Sequence, residues 1–236
     1  MIQDNLAEVR RNIVLQCEKV GRNPSEVTLI AVSKTKPLSM VQEAMEAGQL
    51  VFGENKVQEM CEKHASLSNN ENVEWHLIGH LQSNKVKKAV SVAKMIHSVD
   101  SLDLAREIDR QAAKIDKIQD ILLEVNVAEE ETKFGFRLEQ AAEVVPEILS
   151  MNNVRLRGFM TVAPFTDDPE SNRNYFKSLK QLMIDINARY IDNKNIDVLS
   201  MGMSGDYKVA IEEGATHIRV GTFIFGERDY SLQKGN

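Results

Sequence analysis

The chain has 236 residues, a formal net charge of −6 and a hydrophobic content of 42%, which suits one large globular domain or two small ones. The acidic balance argues against a nucleic-acid-binding protein, and no apolar run approaches the roughly 18 residues of a membrane helix. Cys17 and Cys61 lack a CxxC or metal-ligand spacing, so no metal site is predicted. Without a disulfide framework or a signal sequence, the predicted location is cytoplasmic.

Helical and strand patterns alternate along the chain. Residues 3–20 place Leu6, Val9 and Ile13 on one apolar stripe, which predicts an N-terminal helix. Eight short apolar runs follow and predict strands at 27–33, 50–52, 75–79, 95–99, 120–127, 156–162, 198–201 and 217–222. Amphipathic stretches between the runs predict helices at 38–47, 55–66, 82–93, 101–115, 138–149, 170–190 and 206–213.

The first run, 27–33, carries apolar residues at both parities, which is typical of a parallel sheet covered by helices on both faces. Eight such strands with intervening helices predict an α/β fold, a single (β/α)8 TIM-type barrel with an extra N-terminal helix. A doubly wound open sheet is the alternative, but it often carries a GxGxxG motif after its first strand, and that motif is absent. No linker divides residues 1–236, so one domain is expected.

Polar and small residues collect at the predicted carboxyl ends of these strands, where a barrel of this class builds its active site. The candidates from the first three strands and from the last two are Lys34, Asn55, His76, Gly79, Ser200, Gly202, Ser204, Arg219, Gly221 and Thr222. The fold would bring them together although they are distant in sequence. His76 and His80 are four residues apart, but no third ligand is placed, so no metal site is predicted.

The segment 200–205 reads Ser-Met-Gly-Met-Ser-Gly and precedes a predicted helix near Tyr207. Ser204 and Asp206 are N-cap candidates for that helix, and Gly221 with Thr222 forms a second turn of small residues. Such turns expose backbone N–H groups to an anion, and loops after strands seven and eight often bind phosphate in these barrels. Ordinary turn residues remain the alternative to a phosphate site.

Lys34 directly follows the buried run, and Lys36 lies two residues further with the same strand parity. Spacing leaves both open, whereas proximity to the buried run favours Lys34, because desolvation promotes the neutral amine that forms an imine. A lysine opposite a phosphate site fits pyridoxal 5′-phosphate (PLP), which binds as a lysine Schiff base. A surface charge is the alternative interpretation.

Arg219 shares a strand face with His217 and Gly221. A buried guanidinium needs hydrogen-bond acceptors and can only donate. Facing a pyridine nitrogen, it would hold that nitrogen unprotonated; a structural salt bridge is the alternative.

The segments AVSKTKP, FGEN..QE, WH.IG.LQSNK, the K.GF loop, LSMGMSGD and R.GT.IFG occur in order over essentially the whole chain, which resembles the pyridoxal phosphate homeostasis protein family. The resemblance implies a barrel like the N-terminal domain of alanine racemase. It also implies that Lys34 is the Schiff-base lysine and that Arg219 faces the pyridine nitrogen. The other implied cofactor-binding residues are Asn55, His76, Ser200, Gly202, Ser204, Gly221 and Thr222.

The resemblance further implies a carrier and regulator of PLP that influences vitamin B6 and amino-acid balance without robust catalysis. Its expected partners are PLP and PLP-dependent client apoenzymes, and a monomer is expected. Racemase and decarboxylase relatives carry a second domain that supplies catalytic groups, and this chain is expected to lack it. The alternatives are a weak PLP-dependent amino-acid racemase-like enzyme and a barrel that binds another phosphorylated metabolite without a covalent bond.

Overall fold

A computed structural model describes residues 1–67, 72–190 and 196–227. Eight parallel strands pair in sequence order, and the first also pairs with the last, which closes the barrel. The predicted (β/α)8 barrel is therefore confirmed, and the open sheet is excluded. The strands are β1 (Thr28–Val32), β2 (Val51–Glu54), β3 (Glu74–Leu77), β4 (Met95–Val99), β5 (Gln119–Glu124), β6 (Val154–Met160), β7 (Val198–Met203) and β8 (His217–Val220).

Helices precede, separate and follow the strands. They are α1 (Ile2–Lys19), α2 (Leu38–Glu46), α3 (Val57–Ser66), α4 (Val86–Val92), α5 (Leu102–Ala113), α6 (Leu138–Leu149), α7 (Arg173–Arg189), α8 (Tyr207–Glu212) and α9 (Thr222–Phe225). The predicted N-terminal helix is confirmed, and its stripe residues Leu6, Val9 and Ile13 are buried. None of the helices in the described ranges is long and apolar enough to cross a membrane.

Two boundaries differ from the sequence prediction in ways that affect the candidate site. The last apolar run does not remain a strand to residue 222, because β8 ends at Val220 and Gly221 begins the turn into α9. The third strand ends at Leu77, so His76 lies within it and Gly79 lies beyond it. A strand-like apolar run alone could not predict these ends, since they depend on pairing with neighbouring strands.

The sheet separates two kinds of interior. Along each strand, every second side chain faces the helices, and these side chains form the main apolar core. The core includes Phe52 and Trp75, whose ring centroids are 5.5 Å apart. Residues of the opposite parity face the barrel axis, where a small apolar cluster contains Met95, Leu122, Met160 and Val198. The same parity carries His76, His97, Ser200 and Arg219, all buried, so much of the axis is polar.

Candidate functional site at the carboxyl end of the barrel

A cavity of about 410 Å³ opens at the carboxyl ends of the strands. It brings together five of the residues predicted from sequence, namely Lys34, Ser204, Arg219, Gly221 and Thr222. Further lining comes from Gly205, Asp206 and Asn172 and from apolar side chains that include Val32, Ile78 and the exposed Phe165. The size falls within the range of ordinary small-molecule pockets. The cavity therefore offers one amine, one guanidinium and several hydrogen-bond donors to a small ligand.

Hydrogen bonds from buried charged side chains fix the loop that carries Lys34. The Ser33 hydroxyl donates to Glu54 Oε1 at 2.6 Å, and the Lys63 ammonium donates to the Ser33 carbonyl and to Glu54 Oε1, both at 2.7 Å. On the far side of Lys34, the Thr35 N–H donates to Glu59 Oε1 at 2.6 Å. Since both neighbours of Lys34 are fixed, the backbone that carries its amine has a defined position.

Lys63 and Glu54 were missed by sequence reasoning. Both are buried, and burial raises the pKa of Glu54 although Lys63 opposes the rise. The available signal was the position of Lys63 on the apolar stripe of α3, three residues after the buried Met60 and six after Val57. A lysine at such a position requires a buried partner.

A kink at Thr35 separates the two candidate lysines. Thr35 has a φ of 63°, a left-handed conformation that is uncommon for a side chain branched at Cβ. The shared strand parity of Lys34 and Lys36 therefore ends here. Lys34 lines the cavity, whereas the Lys36 amine donates to the carbonyls of Phe225 at 3.1 Å, Gly226 at 3.0 Å and Glu227 at 2.6 Å.

The loops after β7 and β8 contact each other across the predicted phosphate site. The Gly221 N–H donates to the Ser204 hydroxyl at 3.3 Å. Asp206 is the N-cap residue of α8, as predicted, but its carboxylate does not cap the helix and instead accepts from the Met203 N–H at 2.7 Å. Its second oxygen accepts from Asn172 Nδ2 at 2.9 Å. These bonds shape a loop whose small residues face the cavity.

Gly202 does not line the cavity. It has a φ of 91°, and an added Cβ would lie 2.6 Å from the Ala210 Cβ and 2.9 Å from the Tyr207 Cα. Glycine is therefore required by the close approach of α8 to β7. Gly205, three residues further along, does line the cavity, and an added Cβ there would meet nothing within 4 Å.

Arg219 is buried and donates hydrogen bonds to two neutral oxygens. Nη1 donates to Ser200 Oγ at 2.7 Å, and Nη2 donates to the Thr161 carbonyl at 2.7 Å. Burial lowers the pKa of the guanidinium to about 10, opposed by Asp206 and Glu124, so the group remains charged near pH 7. Ser200 does not itself line the cavity and contacts a lining residue, Arg219.

His76 and Asn55 lie outside the cavity. His76 lines a different space, at the amino ends of the strands, together with Glu74, Lys94 and His217. Asn55 follows β2 and packs against Gly79, where an added Cβ would lie 2.5 Å from the Asn55 carbonyl oxygen. In the described part of the chain, no group of three or more His, Cys, Asp or Glu residues could hold a metal ion.

Glu124 is a second feature that sequence reasoning missed. It ends β5 after three buried apolar residues, and a carboxylate in that position was the available signal. Burial raises its pKa to about 7, with a further contribution from Asp100, while Arg219 opposes the shift. The carboxyl end of the barrel therefore holds a group that exchanges a proton near neutral pH.

Comparison with known proteins places the chain in a family. The family described as "Alanine racemase, N-terminal domain" matches residues 5–229. The pyridoxal phosphate homeostasis protein of Aquifex aeolicus (strain VF5) is 43% identical over 227 residues, with 96% of this chain and 98% of the relative covered. The Escherichia coli (strain K12) protein of the same name is 38% identical over 234 residues, with 98% of each chain covered.

Solved structures agree with this placement. PipY of Synechococcus elongatus PCC7942, solved with PLP bound, is 35% identical with a TM-score of 0.84, and the match covers 96% of this chain and 100% of PipY. The structure of PipY without PLP is 36% identical over the same shares, with a TM-score of 0.86. The chain therefore belongs to the alanine racemase N-terminal domain family and, within it, to the pyridoxal phosphate homeostasis proteins.

Proposed function

We propose that this chain binds PLP as a Schiff base on Lys34 and acts as a carrier and regulator in intracellular PLP homeostasis. The observation that carries the proposal is that Lys34 and the phosphate-site residues Ser204, Gly221 and Thr222 line one cavity. The donor set fits the cofactor: an amine for its aldehyde, hydroxyl and N–H groups for its phosphate, and a guanidinium for its ring nitrogen. The PLP-bound PipY structure, 35% identical, supports the same assignment.

When bound, PLP supplies an aldehyde that condenses with amines and a ring that withdraws electrons. Ser204, Gly221 and Thr222 would hold the phosphate, and Arg219 would donate to the pyridine nitrogen. Ser200 would act through Arg219, with which it shares a 2.7 Å hydrogen bond, and Gly202 by permitting the close approach of α8 to β7. Asn55 and His76 would also act indirectly, since neither lines the cavity.

The lining of the cavity supports a role without robust catalysis. Racemisation needs a proton acceptor or donor on each face of the substrate carbon. Of the described lining residues, Lys34 supplies one amine and Asp206 one carboxylate, and both Asp206 oxygens already accept hydrogen bonds from Met203 and Asn172. A free second base is not among these side chains, so we assign the protein to PLP storage and delivery.

The anchor is tested by recording the absorbance of the purified protein with PLP, followed by borohydride reduction and peptide mass mapping. We expect a visible imine band and a reduced adduct on Lys34. Lys34→Ala loses both, whereas the matched variant Lys36→Ala keeps both, because the Lys36 amine is engaged by three backbone carbonyls. An adduct that follows Lys36 would contradict the assignment, and no adduct at all would contradict covalent PLP binding.

Carrier and enzyme are separated by two further measurements on the PLP-loaded protein. We expect it to reactivate a PLP-dependent apo-aminotransferase and to leave the α-protons of amino acids unexchanged in D₂O. Exchange that disappears in Lys34→Ala would instead favour the racemase-like enzyme. The same proposal takes client apoenzymes as partners and the cytoplasm as the location. It also takes a monomer as the working form, and sedimentation of the PLP-loaded protein tests this oligomeric state.

A further inference from the structure

A chain of hydrogen bonds runs along the polar barrel axis from the cavity toward the opposite end. Arg219 Nη1 lies 2.7 Å from Ser200 Oγ, and Ser200 Oγ lies 2.9 Å from His97 Nδ1. His97 Nε2 lies 2.8 Å from His76 Nδ1. Beyond it, His76 Nε2 is buried without a hydrogen-bond partner and lies 3.8 Å from Glu74 Oε2 at the amino-terminal opening.

The chemistry of Arg219 fixes the direction of the first hydrogen bond, and the placement of the Ser200 proton sets the direction of the others. A guanidinium only donates, so Ser200 Oγ accepts from it and is free to donate its own proton to His97 Nδ1. His97 then carries its proton on Nε2 and donates to His76 Nδ1. His76 in turn carries its proton on Nε2, on the side of the Glu74 carboxylate 3.8 Å away.

The opposite direction fails at both ends of the chain. Ser200 would accept two hydrogen bonds, from Arg219 and from His97, and its own proton would have no acceptor within the chain. At the other end, a neutral His76 would direct an unprotonated Nε2 toward the Glu74 carboxylate, so that two acceptors would face each other. Burial and the neighbouring His76, His217 and Arg219 lower the pKa of His97 well below its ordinary value, which agrees with a neutral relay member.

We propose that His97 and His76 are positioning residues that orient Arg219 toward the bound cofactor through Ser200. Ser200 Oγ accepts a hydrogen bond from Nη1 of Arg219, and the Thr161 carbonyl accepts one from Nη2. The two acceptors together fix the plane of the guanidinium. His97 fixes the Ser200 hydroxyl, because its Nδ1 accepts a hydrogen bond from the serine O–H and thereby orients a lone pair of the oxygen toward Arg219. This inference rests on the proposed PLP site for its consequence, but the direction of the chain is a property of the protein alone.

The direction is tested first without cofactor. Two-dimensional NMR of the protein with ¹⁵N-labelled histidine reports which ring nitrogen carries the proton, and with five histidines in the chain the signals can be assigned by single substitutions. We expect the ring proton of His97 and that of His76 on Nε2, with Nδ1 of each accepting a hydrogen bond. An Nδ1–H tautomer at either residue, or a doubly protonated His76, would overturn the proposal.

Substitutions at His97 then test the effect on PLP affinity. His97→Asn places an amide oxygen near the position of Nδ1 and keeps the acceptor for Ser200, whereas His97→Gln places its amide near Nε2 and His97→Leu keeps only volume. We expect the PLP dissociation constant to rise about tenfold or more in the Gln and Leu variants and to stay within about threefold in Asn, since one charge-assisted hydrogen bond has this weight.

His217→Gln is the matched control, because His217 lies in the same cluster, with its ring centroid 6.1 Å from that of His97. Its Nδ1 forms a hydrogen bond with Thr216 and is not part of the series from Arg219 to His76. Equal losses in all four variants would reduce the role of His97 to packing and overturn the proposal. If the wild-type protein binds no PLP, the proposed function fails, while the NMR tautomers still decide the direction of the chain.

Discussion

Glu124 combines three influences at a single residue, since it is partly buried and feels the charges of Asp100 and Arg219. Its folded-state pKa of about 7 exceeds the ordinary value of 4.5. The folded protein therefore holds this proton more tightly than the unfolded chain, and the associated stability is fully present below about pH 4.5. It is lost as the pH rises through 7.

We expect Glu124→Gln to remove this pH dependence in the protein without PLP. Between pH 5 and pH 8 the free energy of unfolding of the wild type should fall by about 2 kcal/mol more than that of the variant. Urea unfolding at both pH values measures the difference. Glu143 is exposed, so Glu143→Gln is the control, and its unfolding free energy should change with pH as that of the wild type does. An equal change with pH in the wild type and in Glu124→Gln would contradict the raised pKa.

At the scale of elements, the packing of α8 against β7 requires glycine at position 202 but not at position 205. Gly202→Ala places a Cβ 2.6 Å from the Ala210 Cβ at a φ of 91°, and we expect it to cost about 2–4 kcal/mol in unfolding free energy. Gly205→Ala meets nothing within 4 Å and should change stability by less than about 1 kcal/mol. Chemical denaturation of both variants without PLP compares them, and equal costs would contradict the assigned contact.

The α3 helix and the Lys34 loop are joined by the buried Lys63 ammonium. Lys63→Met leaves the Glu54 carboxylate buried without its cation, and we expect a loss of about 3–5 kcal/mol in stability. Adding Glu54→Gln should restore part of the loss, because the stranded charge is removed. As a control, Arg106→Ala breaks the solvent-exposed pair with Glu147 and should leave the urea midpoint of unfolding close to that of the wild type. A small loss in Lys63→Met would show that the cluster does not hold the loop.

At the scale of the whole molecule, closure of the barrel joins the first strand to the last. Opening any one strand exposes two neighbours, so we propose that residues 1–236 unfold as a single domain in one cooperative step. Equality of the calorimetric and van't Hoff enthalpies in a thermal scan measures this. Two resolved transitions, or a van't Hoff enthalpy well below the calorimetric one, would contradict the single domain.

The strands, helices and barrel closure could be predicted because each strand carries its own apolar pattern and each helix its own stripe. Lys34, Ser204 and Gly221 could be placed together because parallel strands share one carboxyl end. The contact between His97 and Ser200 could not, since it joins residues 103 positions apart and depends on the register of strands that are not neighbours. The divergence of Lys34 from Lys36 was also hidden, because it arises from one backbone angle at Thr35.

The two-sided sheet has a consequence for how the chain tolerates substitution. Positions that face the helices need only apolar volume, so exchanges such as Ile121→Leu should be accepted. The axis positions that are joined by hydrogen bonds, namely Arg219, Ser200, His97 and His76, must preserve a pattern of donors and acceptors. There an isosteric apolar residue is a worse replacement than a smaller polar one. Saturation of two adjacent β4 positions should therefore give a hydrophobic preference at Ile96, which lies in the apolar core, and a hydrogen-bonding preference at His97.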